Sequence, residues 1–98
     1  MSETNYVASV RTELAGRLPD CDSDLLDLYT LLGLTFGTAT DLRLVHDAWA
    51  VWRNRSNPEH RSLIPFDRLS LEVQELDRPY VEAIRAAVLA VGRSGGVL

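Results

Sequence analysis

The residues best suited to chemistry lie in one stretch of the chain, from Leu42 to Tyr80. This stretch holds both tryptophans, both histidines and six of the ten arginines, five of them before Asp77. Aromatic rings stack on flat ligands, and arginine binds phosphate or carboxylate through paired hydrogen bonds. The stretch therefore predicts a site for a nucleotide or a similar aromatic anion. The candidate ligand-binding residues are Trp49, Trp52, Arg53, Arg55, His60, Arg61 and Tyr80.

These residues also have a purely structural interpretation. Trp49 and Trp52 follow helical spacing with other apolar residues, and such a pair more often belongs to a core than to a stacking platform. The basic residues are all arginine, a bias that codon usage in a GC-rich genome also produces. A solvated basic loop would have the same composition as a phosphate-binding one, so the residues alone leave both interpretations open.

His46 and Asp77 are predicted to be structural. A single histidine beside an apolar stripe is more often packed than catalytic, and Asp47 diverges from His46 by about 100° around a helix. We expect the imidazole to hold the start of the last helix, or the loop before it, to the third helix.

Patterns that carry catalysis or metal binding are missing. The chain has no glycine-rich phosphate loop, no paired-histidine metal motif and no nucleophile elbow. Its one cysteine, Cys21, has carboxylates on either side, which disfavour a reactive thiolate. We therefore expect a protein that is not an enzyme and has no metal site and no cofactor.

The length and net charge of the chain limit the possible classes of protein further. A chain of 98 residues suits one domain, here 1–98. The net charge of −4 argues against nucleic-acid binding, and the third helix lacks the basic face of a sequence-specific recognition helix. No apolar run is long enough to cross a membrane, and the first residues lack the pattern of a signal peptide. These features predict a cytoplasmic protein without membrane contact.

Apolar periodicity predicts an all-α fold of four to five helices. The first predicted helix is capped by Ser2 or Thr4 and ends near Leu18, and the second is capped by Asp22 or Ser23 and ended by Gly37. The third is capped by Thr38 or Thr40 and runs through Trp52, and an ordered Arg- and Pro-containing loop over 54–62 follows it. Ser70 caps a short helix, and the last helix follows a break at Asp77, ends at Gly92 and leaves 93–98 as a flexible tail.

The second predicted helix is apolar on nearly all sides. Eight of its residues are large hydrophobics, so it must be central or have one side on another subunit. A homodimer is therefore a second expectation.

The stretch from Val45 to Tyr80 resembles the RyR domain, a repeat found in ryanodine receptors and in bacterial and phage proteins. The resemblance lies in VHDAWAVW, HRSLIPF and LSLEVQELDRPYVEAI. The residues that match the family pattern are His46 and Trp49, then His60, Leu63, Pro65 and Phe66, and finally Leu69 and Asp77.

This resemblance implies a small non-catalytic module that binds or sequesters a nucleotide-derived signalling molecule, in a stand-alone protein of phage or actinobacterial origin. The alternative is a homo-oligomeric interaction or adaptor module that acts on a host protein.

Overall fold

The computed structural model describes residues 5–95, with side chains through residue 92. Within this range the chain forms helices and connecting turns and no strand, so the predicted all-α fold is confirmed. The elements are α1 (Tyr6–Arg17), α2 (Ser23–Phe36), α3 (Leu42–Ser56), α4 (Leu71–Glu75) and α5 (Arg78–Gly95), with short 3-10 turns at Gly37–Ala39 and Phe66–Arg68.

The central helix of the bundle is α2, which packs against α1, α3 and α5. Leu14, Tyr29, Val45 and Ile84 are almost completely buried between these helices. At Gly33 a methyl group would lie 3.2 Å from a Val88 side-chain carbon, so the missing side chain lets α2 approach α5 closely. The apolar sequence of α2 is therefore explained by its position.

Short polar side chains start the helices. The Asn5 side-chain oxygen accepts a hydrogen bond from the Ala8 N–H of α1, whereas the predicted caps Ser2 and Thr4 lie outside the described residues. Asp22 caps α2 and Ser70 caps α4, and both predictions are confirmed.

The predicted caps of α3 are wrong. Asp41 holds that position, because its carboxylate accepts from the Leu44 N–H at 3.0 Å. Thr40 is buried instead, and its hydroxyl donates to the carbonyl of Gly37.

The third helix is longer than predicted. It continues past Trp52 to Ser56, so Arg53 and Arg55 lie on its last turn and not in a loop. Arginine is a good helix former, and positive charge at a helix C-terminus interacts favourably with the helix dipole. The loop after α3 therefore begins at Asn57, three residues later than predicted.

The break before α5 lies where proline requires it. α4 ends at Glu75, and the Asp77 carbonyl accepts the first hydrogen bond of α5, from the Val81 N–H. Pro79 therefore occupies the first turn, where its missing N–H has no consequence. The predicted end at Gly92 is wrong, because α5 continues to Gly95; residues 96–98 of the predicted tail lie outside the described range.

Among residues 5–95 no helix has the length and hydropathy that crossing a bilayer needs.

Candidate functional site

The site is a cavity of about 750 Å³ bounded by α2, α3, α4, the start of α5 and the turn between α1 and α2. This volume is typical of pockets that hold small organic ligands. Its lining combines aromatic rings with a few charged groups. The residues used below are Arg17, Cys21, Asp22, Tyr29, His46, Trp49, Trp52, Arg53, His60, Asp77 and Tyr80.

One face of α3 supplies most of the aromatic wall. His46, Trp49 and Arg53 follow one another at intervals of three and four residues, which places them along one side of a helix, with Trp52 beside Arg53. The His46 and Trp49 rings are stacked, with centroids 5.8 Å apart. The helix therefore presents a row of groups from one end of the cavity to the other.

His46 is 3% exposed and connects α3 to the loop after it. Its Nε2 lies 2.9 Å from the carbonyl oxygen of Ile64. A carbonyl only accepts, so Nε2 carries a proton and donates it. The contact joins α3 to the loop before α4, whereas the prediction names the start of the last helix or the loop before that helix.

His60 has the opposite arrangement of its ring nitrogens. Its Nδ1 accepts a hydrogen bond from the backbone N–H of Ser62 at 3.0 Å, so the proton of the neutral ring lies on Nε2. The ring meets Trp49 edge to face, with centroids 5.1 Å apart. His60 therefore offers the cavity a hydrogen-bond donor.

The Asp77 carboxyl group lies at the α5 end of the cavity. Burial raises the pKa of Asp77, and the nearby His46 acts in the opposite direction. Among residues 5–95 no group donates a hydrogen bond to its carboxylate oxygens. The carboxylate lines the cavity, so its oxygens are free to accept hydrogen bonds from a molecule bound there.

Two tyrosines lie beside Asp77. The Tyr29 and Tyr80 rings pack at a centroid distance of 5.6 Å. Burial raises the pKa of Tyr29, and the charge of Asp77 contributes in the same direction. Tyr29 therefore stays protonated and keeps its hydroxyl as a donor.

At the other end of the cavity the main charged group is Arg53. Its guanidinium lies over the Trp52 ring, 4.5 Å from the centroid, which fixes its orientation. Its buried Nε has no hydrogen-bond partner, and within the described chain it forms no salt bridge. Arg17 also lines the cavity, but it pairs with Glu13 on α1.

The rim of the cavity joins α3 to the start of α2. The Trp52 Nε1–H donates to the Asp22 carboxylate at 2.9 Å. The pKa of Asp22 is lowered, first by the backbone hydrogen bond from Leu25. Burial raises the pKa of the neighbouring Cys21, with a further contribution from Asp22, so the thiol is not activated.

Five of the seven predicted ligand-binding residues line this cavity: Trp49, Trp52, Arg53, His60 and Tyr80. The other two do not. Arg55 forms a salt bridge with Asp24, at 3.2 Å between nitrogen and oxygen, and Arg61 is exposed outside the cavity. The extra turn of α3 causes this separation for Arg55, because it turns that side chain away from the Trp49 side of the helix.

Sequence reasoning missed Tyr29 as a lining residue and assigned Asp77 and His46 to structure alone. Tyr29 was counted with the leucines of α2, although its hydroxyl sets it apart from them. Asp77 carried a signal too, because a carboxylate at the start of a helix interacts favourably with the helix dipole. In the described part of the chain, no group of three or more His, Cys, Asp or Glu side chains is placed to hold a metal ion.

The resemblance to the RyR domain is wrong, because the family model that matches the chain is a different one. The residues that carried the resemblance pack on one another here: His46 contacts Trp49 and also Phe66, whose ring centroid is 6.2 Å away. Aromatic packing that anchors a loop recurs in unrelated helical proteins, so it is a weak sign of kinship.

Comparison with known proteins gives a family but no described function. No curated protein and no solved structure matches the chain. The family model covers residues 5–89, which include every element that forms the cavity. The chain therefore belongs to the family described as Domain of unknown function (DUF7701).

Proposed function

We propose that this protein binds a nucleotide or a nucleotide-derived small molecule in the cavity between α2, α3 and α5. The observation that carries the proposal is the composition of the cavity. Six aromatic or imidazole rings surround two charged groups, Asp77 and Arg53, that form no salt bridge within residues 5–95. A ligand that satisfies both groups needs hydrogen-bond donors at one end and negative charge at the other.

A nucleotide meets these requirements. Its base stacks on aromatic side chains, which contributes about 1–3 kcal/mol per base in known complexes. Its phosphate suits Arg53, since guanidinium groups bind phosphate oxygens in pairs. The neighbouring Trp52 holds that guanidinium in place before binding, which lowers the entropy cost.

The test is a titration followed by tryptophan fluorescence, since both tryptophans line the cavity. A panel of the common nucleoside monophosphates is added to the wild-type protein and to the Trp49→Ala and Arg53→Gln variants. We expect binding to the wild type and an affinity about 10-fold or more lower for each variant.

Arg61→Gln is the matched control for Arg53→Gln. It removes the same charge from a residue that lies outside the cavity, so its affinity should equal that of the wild type. Loss of binding in Arg61→Gln with unchanged binding in Arg53→Gln would contradict the site. Native mass spectrometry of protein purified from its producing cells gives an independent readout, because a retained ligand adds its own mass.

A second proposal is that the protein acts as a homo-oligomeric interaction module. Leu31 and Phe36 of the central helix are 53% and 48% exposed, although the other large hydrophobic residues of α2 are buried or half-buried. Exposed apolar groups on a small domain favour association when they form a continuous patch. This proposal is compatible with a ligand cavity, because neither residue lines it.

A further inference from the structure

The Asp77 carboxylate can distinguish one nucleobase from another. It lies among rings that can stack on a base, it is about half buried, and no other group between residues 5 and 95 donates to its oxygens. An ionised carboxylate accepts hydrogen bonds and donates none. It therefore favours a base edge with adjacent N–H donors and repels an edge that presents a lone pair.

Guanine is the common base with such an edge. Its base-pairing edge places the N1–H and the exocyclic N2–H side by side, so both carboxylate oxygens can accept. Adenine and cytosine offer one amino donor next to a ring nitrogen acceptor, and uracil places its N–H between two carbonyl oxygens. We propose that the cavity selects guanine nucleotides through paired hydrogen bonds to Asp77, an inference that rests on the proposed function and names its ligand class.

The order of groups along α3 fits a nucleotide in this orientation. His46 lies near Asp77, and Arg53 lies two turns further along the same helix. Seven residues of helix rise by about 10 Å, which is of the order of the span from the base edge to the 5′-phosphate of an extended nucleotide. Trp49 lies between the two ends, where it can stack on the base.

His46 supports this role of Asp77. Its interaction with the carboxyl group favours the ionised form, against the effect of burial. Its own position is fixed by the hydrogen bond to Ile64 and by stacking on Trp49. The acceptor is therefore favoured in its ionised form before the base arrives, and hydrogen bonds to a partly buried charge are stronger than those in water.

The experiment measures the affinity of wild type and Asp77→Asn for guanosine, adenosine, uridine and xanthosine 5′-monophosphates by isothermal titration calorimetry. Wild type is expected to bind the guanosine compound most tightly. Asp77→Asn should bind it about 10- to 100-fold more weakly, since a charge-assisted pair is lost. The variant should bind the xanthosine compound more tightly than wild type does, because the asparagine amide donates to the carbonyl that replaces the amino group.

The outcomes separate this inference from the proposed function. Adenosine or uridine monophosphate binding at least as tightly as guanosine monophosphate, with no effect of Asp77→Asn, would overturn guanine selection and leave nucleotide binding intact. No binding of any nucleotide to the wild type would overturn the proposed function and this inference together. The gain for the xanthosine compound also shows that the variant is folded, since a misfolded protein gains no affinity.

Discussion

At the scale of single residues, the Asp77 carboxylate, which we propose to bind the base, also affects the stability of the fold. Its carboxyl group is more easily protonated in the folded protein than in the unfolded chain, because burial raises its pKa above the ordinary value of 3.8. Between the pKa of the unfolded state and the higher pKa of the folded state, the folded protein binds more protons. The free energy of unfolding therefore decreases as the pH rises through this range. At neutral pH the charged group therefore lowers the stability of the fold.

We predict that Asp77→Asn raises the melting temperature at pH 7. The variant keeps a side chain of nearly the same shape and removes the half-buried charge. The difference from wild type should shrink as the pH falls toward 4, where the wild-type carboxyl group becomes protonated. Thermal unfolding followed by circular dichroism between pH 7 and pH 4 measures this difference in melting temperature. A variant that is less stable than wild type at pH 7 would show that Asp77 stabilises the fold instead.

We expect His46, in contrast to Asp77, to stabilise the fold. It is buried, stacks on Trp49 and donates to the Ile64 carbonyl. His46→Ala leaves empty space and an unpaired carbonyl, so we expect the free energy of unfolding to fall by about 2–4 kcal/mol. Urea unfolding measures this loss, and we expect ligand affinity to change less than it does in Asp77→Asn.

Asp47→Ala serves as the control for His46→Ala, because Asp47 is exposed on the same helix. Its stability should stay close to that of wild type. A larger loss of affinity than of stability in His46→Ala would make His46 a direct ligand contact.

At the scale of helices, two helical glycines differ in their surroundings. Gly16 lies in α1 with no atom near the position of an added methyl group, whereas Gly33 faces Val88, Ile84 and Val10. Alanine is favoured over glycine in a helix by about 1 kcal/mol. That gain is available at Gly16 and is opposed by crowding at Gly33.

We therefore predict that Gly16→Ala raises the free energy of unfolding by about 0.5–1 kcal/mol, the lower figure reflecting its place near the helix end. Gly33→Leu should lower it by about 2 kcal/mol or more, since the larger side chain must separate α2 from α5. Urea unfolding of both variants measures the contrast. Equal effects at the two positions would argue against close packing at Gly33.

At the scale of the whole molecule, the open question is whether the exposed apolar residues are covered by a second copy. Leu31 and Phe36 lie on α2, and further large apolar side chains are exposed elsewhere: Tyr6, Val7, Val51, Leu71, Leu76 and Leu89. Scattered apolar residues are normal on a monomer, whereas a dimer interface needs a continuous surface.

We predict that the wild type sediments as a dimer at micromolar concentration and that Leu31→Gln with Phe36→Gln sediments as a monomer. Analytical ultracentrifugation measures both. Because the two substitutions lie outside the cavity, the monomeric variant should bind nucleotide with unchanged affinity. A wild type that sediments as a monomer would contradict the homodimer.

The sequence by itself determined the class of fold and most of the helix starts. Apolar residues at helical spacing, Asp22 and Ser70 at caps and Pro79 in a first turn act through local geometry, which is the same wherever the helices later pack. Local pattern also selected Trp49 and Trp52. It could not fix the end of α3, because arginine is compatible with both a helix and a loop.

Only the tertiary structure decided which charges share the cavity. Arg53 and Arg55 are two residues apart, yet one lies over Trp52 in the cavity and the other pairs with Asp24. Asp77 and His46 are far apart in the chain and close in space. These relations depend on how α2, α3 and α5 pack, and the burial that raises the pKa of Asp77 arises from that packing.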